Sequence, residues 1–300
     1  DANGKWKKIS INLPGRDVYA KIWKCNVGRV PLYLLDTDIE DNQAEDRTIT
    51  HQLYGGNWEN RLKQEILLGI GGVRMLKELG LEPIIYHSNE GHSAFNSLER
   101  LRDLILTQKI SYSQAKELVR SSTLFTTHTP VPAGHDVFSE DLIRAYLSHY
   151  PESIGLSWED FIGLGRVNKL DKAEKFSMSI LAINFSQEVN GVSKIHGRIS
   201  REMFANLYKG YFPRELHIDH VTNGVHQPTW IDRKWSKFYD NVFSKEYKND
   251  LSNPKYWEKI YGVDNKIIWD LHQSTKKDLV DFMMKRLSNE LIQRAEDPKL

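Results

Sequence analysis

The stretch from residue 122 to residue 135 constrains the fold of this chain more than any other. Residues 123–127 are β-branched, aliphatic or aromatic, which is typical of a short buried strand. Pro130 and Pro132 have no backbone N–H donor and a fixed φ, so this strand has to end near His128. In an open α/β sheet, ligands bind in the loops just beyond the carboxyl ends of the strands. His128 is therefore a candidate site residue, with the alternative that its ring only satisfies polar groups of the loop backbone.

Strands and helices alternate along the rest of the chain. The pattern predicts a hairpin in residues 1–35, strands at 82–87, 123–128, 188–193 and 220–226, and helices at 58–79, 93–109, 111–120, 140–149, 157–164, 176–185, 200–207 and 267–291. Short strands joined by helical crossovers indicate an α/β fold, with a parallel sheet covered by helices. We expect one domain, in which residues 1–35 form a peripheral hairpin region and the chain ends in a helical exit.

Three glycines interrupt the predicted helix at 58–79. Gly69, Gly71 and Gly72 each weaken a helix by about 1 kcal/mol relative to alanine. Because they lie inside the helix and not at its start, they do not fit a phosphate-binding loop. Close packing against a neighbouring backbone is the interpretation that the sequence favours.

Composition excludes several classes of protein. With 40% hydrophobic and 27% charged residues, the 300-residue chain is an ordinary globular protein. Its net charge of +1 favours neither a nucleic acid nor an acidic surface as a partner. No apolar run approaches the roughly 20 residues that span a membrane. Cys25 is the only cysteine, so an internal disulfide is excluded, and we expect a cytoplasmic protein.

Four polar loops follow the predicted strands. They contain residues 89–92, 127–129, 189–191 and 222–224, which would meet at the carboxyl edge of one sheet. Their side chains are neutral hydrogen-bonding groups, except for the carboxylate of Glu90 and the imidazoles. Such a set suits a ligand with many hydroxyl groups, such as a sugar.

Other chemistries have weaker support. His87, His92, His128 and His135 fit no zinc spacing, and no cysteine supplements them, so no metal is expected. A Ser-His-Asp triad lacks its Gly-x-Ser-x-Gly elbow. Glycoside hydrolysis by two carboxylates would need a second acid, whereas Glu90 is the only one in these loops.

Five blocks resemble the α-glucan (glycogen/maltodextrin) phosphorylase family, most closely its shorter bacterial and archaeal branch. They occur in the family order from about residue 18 to the end of the chain: LYGG at 53–56 with RLKQEILLGIGG at 61–72, HSNEGHSAF at 87–95, FTTHTPVPAGH at 125–135, VNGVSKIH at 189–196, and VTNGVH at 221–226. The resemblance implies a Rossmann-like parallel sheet flanked by helices, as one lobe of the two-lobed GT-B fold. It also implies cleavage of α-1,4-glucan by inorganic phosphate, giving α-glucose 1-phosphate with retained configuration.

The resemblance also implies roles for individual residues. His128 would lie beside the reacting glucose, with its carbonyl and ring, and Asn223 would bind the glucose 6-hydroxyl. Glu90 and His92 would face the acceptor sugar. In the animal and plant branch of the family, position 90 is usually an aspartate, and the longer side chain of Glu90 would shift the acceptor sugar. The remaining substrate-binding candidates are Asn89, Thr129, Val189 and Asn190, the last two on the sugar and cofactor side of the cleft.

Parts of the family pattern are missing from these 300 residues. The glycine-rich loop of the first lobe, the basic phosphate-binding segment and the lysine that holds pyridoxal 5'-phosphate have no counterpart here. We therefore expect residues 36–300 to be the latter part of an N-terminal lobe, with the cofactor lobe absent. Alone, the chain is expected to bind no cofactor and to be inactive. Another GT-B glucan glycosyltransferase and a non-catalytic glucan-binding module stay open as alternatives, as does a homo-oligomer.

Overall fold

A computed structural model describes residues 6–53 and 55–294 of the chain. Its internal contacts separate two compact units, Asp1–Asn223 and Gly224–Leu300. This division does not follow the predicted boundary at residue 35, and that domain assignment stays a prediction.

The first unit mixes strands and helices. Within the described residues its strands are β1 (Lys8–Leu13), β2 (Arg16–Val27), β3 (Val30–Asp36), β4 (Tyr86–Asn89), β5 (Thr123–Thr126), β6 (Val137–Phe138), β7 (Phe176–Ser177), β8 (Glu188–Gly191) and β9 (Ile218–His220). Its α-helices are α1 (Ala44–Arg47), α2 (Trp58–Ile66), α3 (Gly72–Glu78), α4 (Asn96–Gln108), α5 (Tyr112–Ser121), α6 (Glu140–Leu147), α7 (Tyr150–Ser153), α8 (Trp158–Gly163), α9 (Met178–Asn184) and α10 (Lys194–Met203).

The central sheet has the strand order β4-β5-β8-β9, and all its neighbouring strands are parallel. Asn89 pairs with Thr126, which pairs with Asn190, which pairs with Asp219, so the four strands end at nearly the same level. Buried apolar side chains such as Phe125 in β5 join the sheet to the helices around it. The predicted α/β fold with a parallel sheet flanked by helices is confirmed.

The N-terminal region is a three-stranded antiparallel sheet in the order β1-β2-β3. The predicted hairpin corresponds to β2 and β3. The sequence interpretation missed β1, although Ile9, Ile11 and Leu13 alternate with polar residues and are buried. That alternation is the ordinary signature of a strand with one face in the core.

The predicted helix at 58–79 is one continuous helical stretch with a π-helical segment, Leu67–Gly71, between α2 and α3. At Gly69 a Cβ atom would lie 2.8 Å from the Cβ of Phe95 and 2.9 Å from the backbone nitrogen of Asn96. Close packing is therefore confirmed for Gly69. The same prediction is wrong for Gly72, where an added Cβ would meet no atom of the described residues within 4 Å.

Two predicted strands are displaced in the structure. The strand expected at 82–87 is β4, which begins at Tyr86, because Pro83 cannot donate to a ladder and the segment before Tyr86 stays exposed. The strand expected at 220–226 is β9, which ends at His220. Residues 221–226 form no strand and are exposed, so their apolar residues did not signal burial.

The second unit is helical. Within the described residues it contains α11 (Gln227–Trp230), α12 (Arg233–Phe243), α13 (Pro254–Trp257) and α14 (Asn265–Gln293). Phe243 and Tyr247 are fully buried in an aromatic cluster with Tyr239 and Trp257. The helix predicted at 267–291 is confirmed as α14. Among the described helices, none combines the length and the apolar character that crossing a membrane would require.

Candidate functional site

The carboxyl edge of the central sheet collects polar side chains from consecutive strands. Because β4, β5 and β8 are parallel and in register, Asn89, the residues after Thr126, and Asn190 come out at the same edge. The sequence predicted this convergence from strand order alone, and the contacts below confirm it for the first three loops.

Asn89 and Glu90, at the end of β4, hold His128 in the next loop. The Nε2 atom of His128 forms a hydrogen bond with the side-chain oxygen of Asn89. The backbone N–H of His128 donates to Oε1 of Glu90, and the hydroxyl of Thr129 donates to the same oxygen at 3.0 Å. Residues nearly forty positions apart thus form one hydrogen-bonded group, with His128 exposed and Glu90 half-buried.

The backbone of Glu90 is strained. Its φ is 64° and its ψ is 175°, a region that glycine occupies far more readily than residues with a Cβ. Such a conformation costs about 1–3 kcal/mol and persists only where the surroundings impose it. Here the Glu90 N–H donates to the carbonyl of Thr126 at 2.8 Å, and Gly91 packs against α9 with no room for a side chain.

A second row of hydrogen bonds lies across the sheet next to this group. The hydroxyl of Thr126 donates to Oδ1 of Asn190 at 2.8 Å, and Nε2 of His87 lies 2.7 Å from the same hydroxyl. Since Thr126 has given its one hydrogen to Asn190, His87 must be the donor in the other bond. Side-chain hydrogen bonds therefore join these three adjacent strands at the edge, in addition to the backbone pairing.

The remaining candidates are placed differently. Val189 is 4% exposed and belongs to the hydrophobic core, so its side chain does not face this edge. Asn223 is exposed, and its backbone N–H donates to the carbonyl of Val192 at 3.1 Å, just beyond β8. The structure therefore brings Asn223 to the end of the sheet, whereas it does not bring the side chain of Val189 there.

His92 belongs to a separate charged cluster. The Nη2 atom of Arg61 lies 2.6 Å from Nδ1 of His92 and 2.7 Å from Oδ2 of Asp136, and these last two atoms are 3.1 Å apart. Nε of Arg61 is 3.0 Å from Oε1 of Glu65, which is 1% exposed. This cluster joins α2, the turn after β4 and the segment before β6.

The two acids of this cluster are shifted in opposite directions. Burial, reinforced by the negative charge of Asp136, raises the pKa of Glu65 to about 10. For Asp136 burial acts in the same sense, but hydrogen bonds with His92, Arg61 and Glu65 outweigh it and hold the pKa of that carboxyl well below its usual range. At neutral pH the cluster therefore contains a neutral Glu65 beside an ion pair of Asp136 and Arg61.

Glu65, His92 and Asp136 are also of the types that bind metals, and their ligand atoms lie within 4.8 Å of one another. Arg61, however, bonds both the nitrogen of His92 and the oxygen of Asp136. Its guanidinium takes the place that a cation would need between them, so we interpret the cluster as an ion-pair network.

Sequence reasoning missed Arg61, Glu65 and Asp136. The sequence did contain a signal that Glu65 is buried. Glu65 lies three residues after Leu62 and one before Ile66, on the apolar face of its helix. A carboxylate on such a face requires a buried partner. Nothing in the sequence pointed to Asp136 as part of that partnership.

Comparison with known proteins gives the family. A family model described as carbohydrate phosphorylase matches residues 73–295. The chain is 37% identical over 284 residues to a maltodextrin phosphorylase of Thermococcus litoralis, covering 95% of this chain and 33% of that protein. It is 38% identical over 313 residues to a glycogen phosphorylase of Mycobacterium tuberculosis, covering 100% of this chain and 36% of that protein. A glycogen phosphorylase of Aquifex aeolicus is 32% identical over 300 residues, with 100% and 43% covered.

This chain therefore spans between 33% and 43% of the length of these relatives. The matched region contains β4, β5, β8 and β9 with the loops at their carboxyl edge, as well as His92 and Asp136. The resemblance seen in the sequence motifs is confirmed at the level of the family. The chain belongs to the carbohydrate phosphorylase family.

Proposed function

We propose that this chain forms part of the first Rossmann-like lobe of a GT-B α-glucan phosphorylase. The complete enzyme would cleave α-1,4-glucan or maltodextrin with inorganic phosphate and release α-glucose 1-phosphate with retained configuration. The observation that carries the proposal is the group of Asn89, Glu90 and His128 at the carboxyl edge of the sheet. Its amide, imidazole and carboxylate groups suit sugar hydroxyls.

The proposal gives each loop a part in sugar binding. His128 would lie beside the reacting glucose, with Thr129 next to it, and Asn223 would bind the 6-hydroxyl. Asn89 and His92 would serve the acceptor sugar, the role that the family resemblance also implies for Glu90. Asn190 would line the sugar and cofactor side of the cleft, where Val189 could contribute only through its backbone.

Pyridoxal 5'-phosphate would belong to the complete enzyme, where the cofactor's phosphate would supply a proton to the substrate phosphate. Within the described residues, no lysine side chain has a hydrogen bond or ion pair with Asn89, Glu90 or His128, so none is assigned to a Schiff base at this edge. Among the described lysines, those with hydrogen-bonded side chains bind elsewhere, as Lys8 does with Asp41 and Lys266 with Asp270. No step is therefore assigned to the cofactor within this chain. A cytoplasmic location is a further part of the proposal, and a homo-oligomer stays an open alternative.

The test uses the complete enzyme and measures glucose 1-phosphate formed from maltodextrin and phosphate. The substitution His128→Ala should lower turnover roughly 100- to 1,000-fold, as expected when a preorganised group at the reacting sugar is lost. The control is His217→Ala, because His217 is an exposed histidine that precedes β9 at the other end of the sheet.

The outcome separates the proposal from its alternatives. Glucose 1-phosphate formed by the unmutated enzyme and lost with His128→Ala supports it. Glucosyl transfer only from a nucleotide sugar would identify another GT-B transferase, and glucan binding without turnover would identify a binding module. If the two variants were equally active, His128 would not be a residue of the active site.

A further inference from the structure

We infer that Glu90 is a positioning residue, whose carboxylate fixes the loop that carries His128. This inference rests on the proposed function, but it gives Glu90 a different role from the acceptor-sugar contact expected from the family resemblance. A positioning residue controls turnover, whereas an acceptor ligand mainly controls the affinity for glucan.

The contacts of Glu90 hold the peptide group after His128 from both sides. Oε1 accepts the backbone N–H of His128 and, at 3.0 Å, the hydroxyl of Thr129. The peptide that joins His128 to Thr129 lies between these two anchors, and it contains the carbonyl proposed to face the sugar. With both anchors in place, the rotation of this carbonyl is restricted, because the residues on either side of the peptide are held by hydrogen bonds to a carboxylate, which are stronger than those between neutral groups.

Asn89 complements Glu90 by holding the ring of the same histidine. Its side-chain oxygen only accepts hydrogen bonds, so the hydrogen of the imidazole lies on Nε2 in this contact. Two consecutive residues at the end of β4 therefore fix both the backbone and the ring of His128. The loop itself is stiffened further by Pro130 and Pro132.

The strained backbone of Glu90 is the second, independent observation. Its φ of 64° and ψ of 175° suit glycine, and the close packing of Gly91 on α9 prevents the turn from relaxing. A glutamate is thus present where the fold alone would favour glycine. Since the carboxylate contacts the His128 loop, strain at this position points to a functional role.

The decisive variant is Glu90→Gly in the complete enzyme. Relief of backbone strain should keep the melting temperature equal to or above that of the unmutated enzyme. We expect kcat to fall about tenfold to a hundredfold, the loss typical of a misplaced reacting group, while KM for maltodextrin and for phosphate changes little. Glu90→Gln retains an acceptor oxygen, and it should restore a large part of kcat.

Hydrogen–deuterium exchange provides a readout that does not depend on activity. In Glu90→Gly the peptide containing His128 should take up deuterium faster, because its backbone N–H has lost the carboxylate partner. The matched control is Lys109→Gly, which relieves another positive φ, of 56°, at the exposed end of α4 and outside the loops that contain Glu90 and His128. It should leave kcat and the exchange of the His128 loop unchanged.

The results distinguish this inference from the proposed function. If the unmutated enzyme forms no glucose 1-phosphate, the proposed function fails, and the exchange of the His128 peptide alone decides whether Glu90 positions the loop. If the enzyme is active but Glu90→Gly keeps its kcat, the inference is overturned. A rise confined to KM for maltodextrin would in addition identify Glu90 as an acceptor ligand.

Discussion

Among individual residues, Glu65 shows most clearly how the fold can change the chemistry of a side chain. It lies 3.0 Å from Arg61, a contact that would ordinarily keep a carboxyl group charged. Burial and the nearby Asp136 dominate instead and raise its pKa to about 10. Arg61 can therefore balance only one negative charge in the cluster, and Asp136 carries it.

The raised pKa of Glu65 predicts a dependence of stability on pH. Between about pH 4.5 and pH 10 the unfolded chain has lost this proton while the folded chain keeps it. The free energy of unfolding should therefore decrease as pH rises through this window, by up to about 1.4 kcal/mol per pH unit from this residue.

Glu65→Gln is expected to remove this contribution, because glutamine is neutral at every pH. Urea unfolding measured at several pH values between 5 and about 9 would show a flatter profile for the variant. Asp136 acts with the opposite sign, because its pKa is lowered in the folded chain. Its contribution to stability is present at pH values above the ordinary pKa of an aspartate and is lost on acidification. An unchanged slope in Glu65→Gln would show that Glu65 is charged in the folded chain.

Asn223 can be tested through the hydroxyl that it is proposed to bind. In the complete enzyme, Asn223→Ala should lose activity with glucose 1-phosphate by an amount equivalent to about 0.5–1.5 kcal/mol. It should lose much less with the analogue that lacks the 6-hydroxyl. Kinetic constants of both enzymes on both substrates provide the comparison, and an equal loss on the two substrates would place the 6-hydroxyl elsewhere.

Among the secondary-structure elements, the π-helical segment between α2 and α3 depends on one glycine. Gly69→Ala should destabilise the fold by about 1–3 kcal/mol, because its Cβ would overlap Phe95 and the backbone of Asn96. Gly72→Ala provides the control in the same helical stretch, where the added methyl group meets no described atom. It should stabilise the fold by about 0.5–1 kcal/mol. Thermal unfolding of both variants measures the difference, and equal effects would contradict the packing at Gly69.

Element boundaries were predictable where local signals were strong. Ser111 caps α5 in a capping box with Gln114, and the sequence placed the start of this helix correctly. The start of β4 was wrong by several residues, since an apolar segment before Tyr86 resembles a strand but remains exposed. Periodicity reports a tendency to be buried, and it cannot say which apolar segment finds a partner.

For the whole molecule, the short span of the chain relative to its relatives predicts its behaviour in isolation. The 300-residue chain should show no phosphorolysis of maltodextrin and no retained pyridoxal 5'-phosphate, because it spans only 33% to 43% of the length of these relatives and, within the described residues, no lysine has a hydrogen bond or ion pair with Asn89, Glu90 or His128. Absorbance after dialysis against free cofactor, together with an assay for glucose 1-phosphate, measures both. A cofactor band that survives dialysis, with turnover, would contradict the prediction.

The sequence by itself determined the order of strands and helices, and with it the edge at which the polar loops meet. Parallel strands joined by helices leave little freedom in where their carboxyl ends lie, so His128 and Asn89 could be assigned to one site without coordinates. The resemblance to the family rested on five short motifs, which can be read from the sequence without the structure.

Only the tertiary structure decided which side chains touch. It placed Asp136 beside Arg61, 75 residues away, buried Val189 in the core, and gave Glu90 its strained backbone with the His128 loop as its partner. These features arise because sheet pairing and helix packing bring distant segments together. Local periodicity carries no information about which distant segment will be the neighbour, and the pKa of a group such as Glu65 depends on that neighbour.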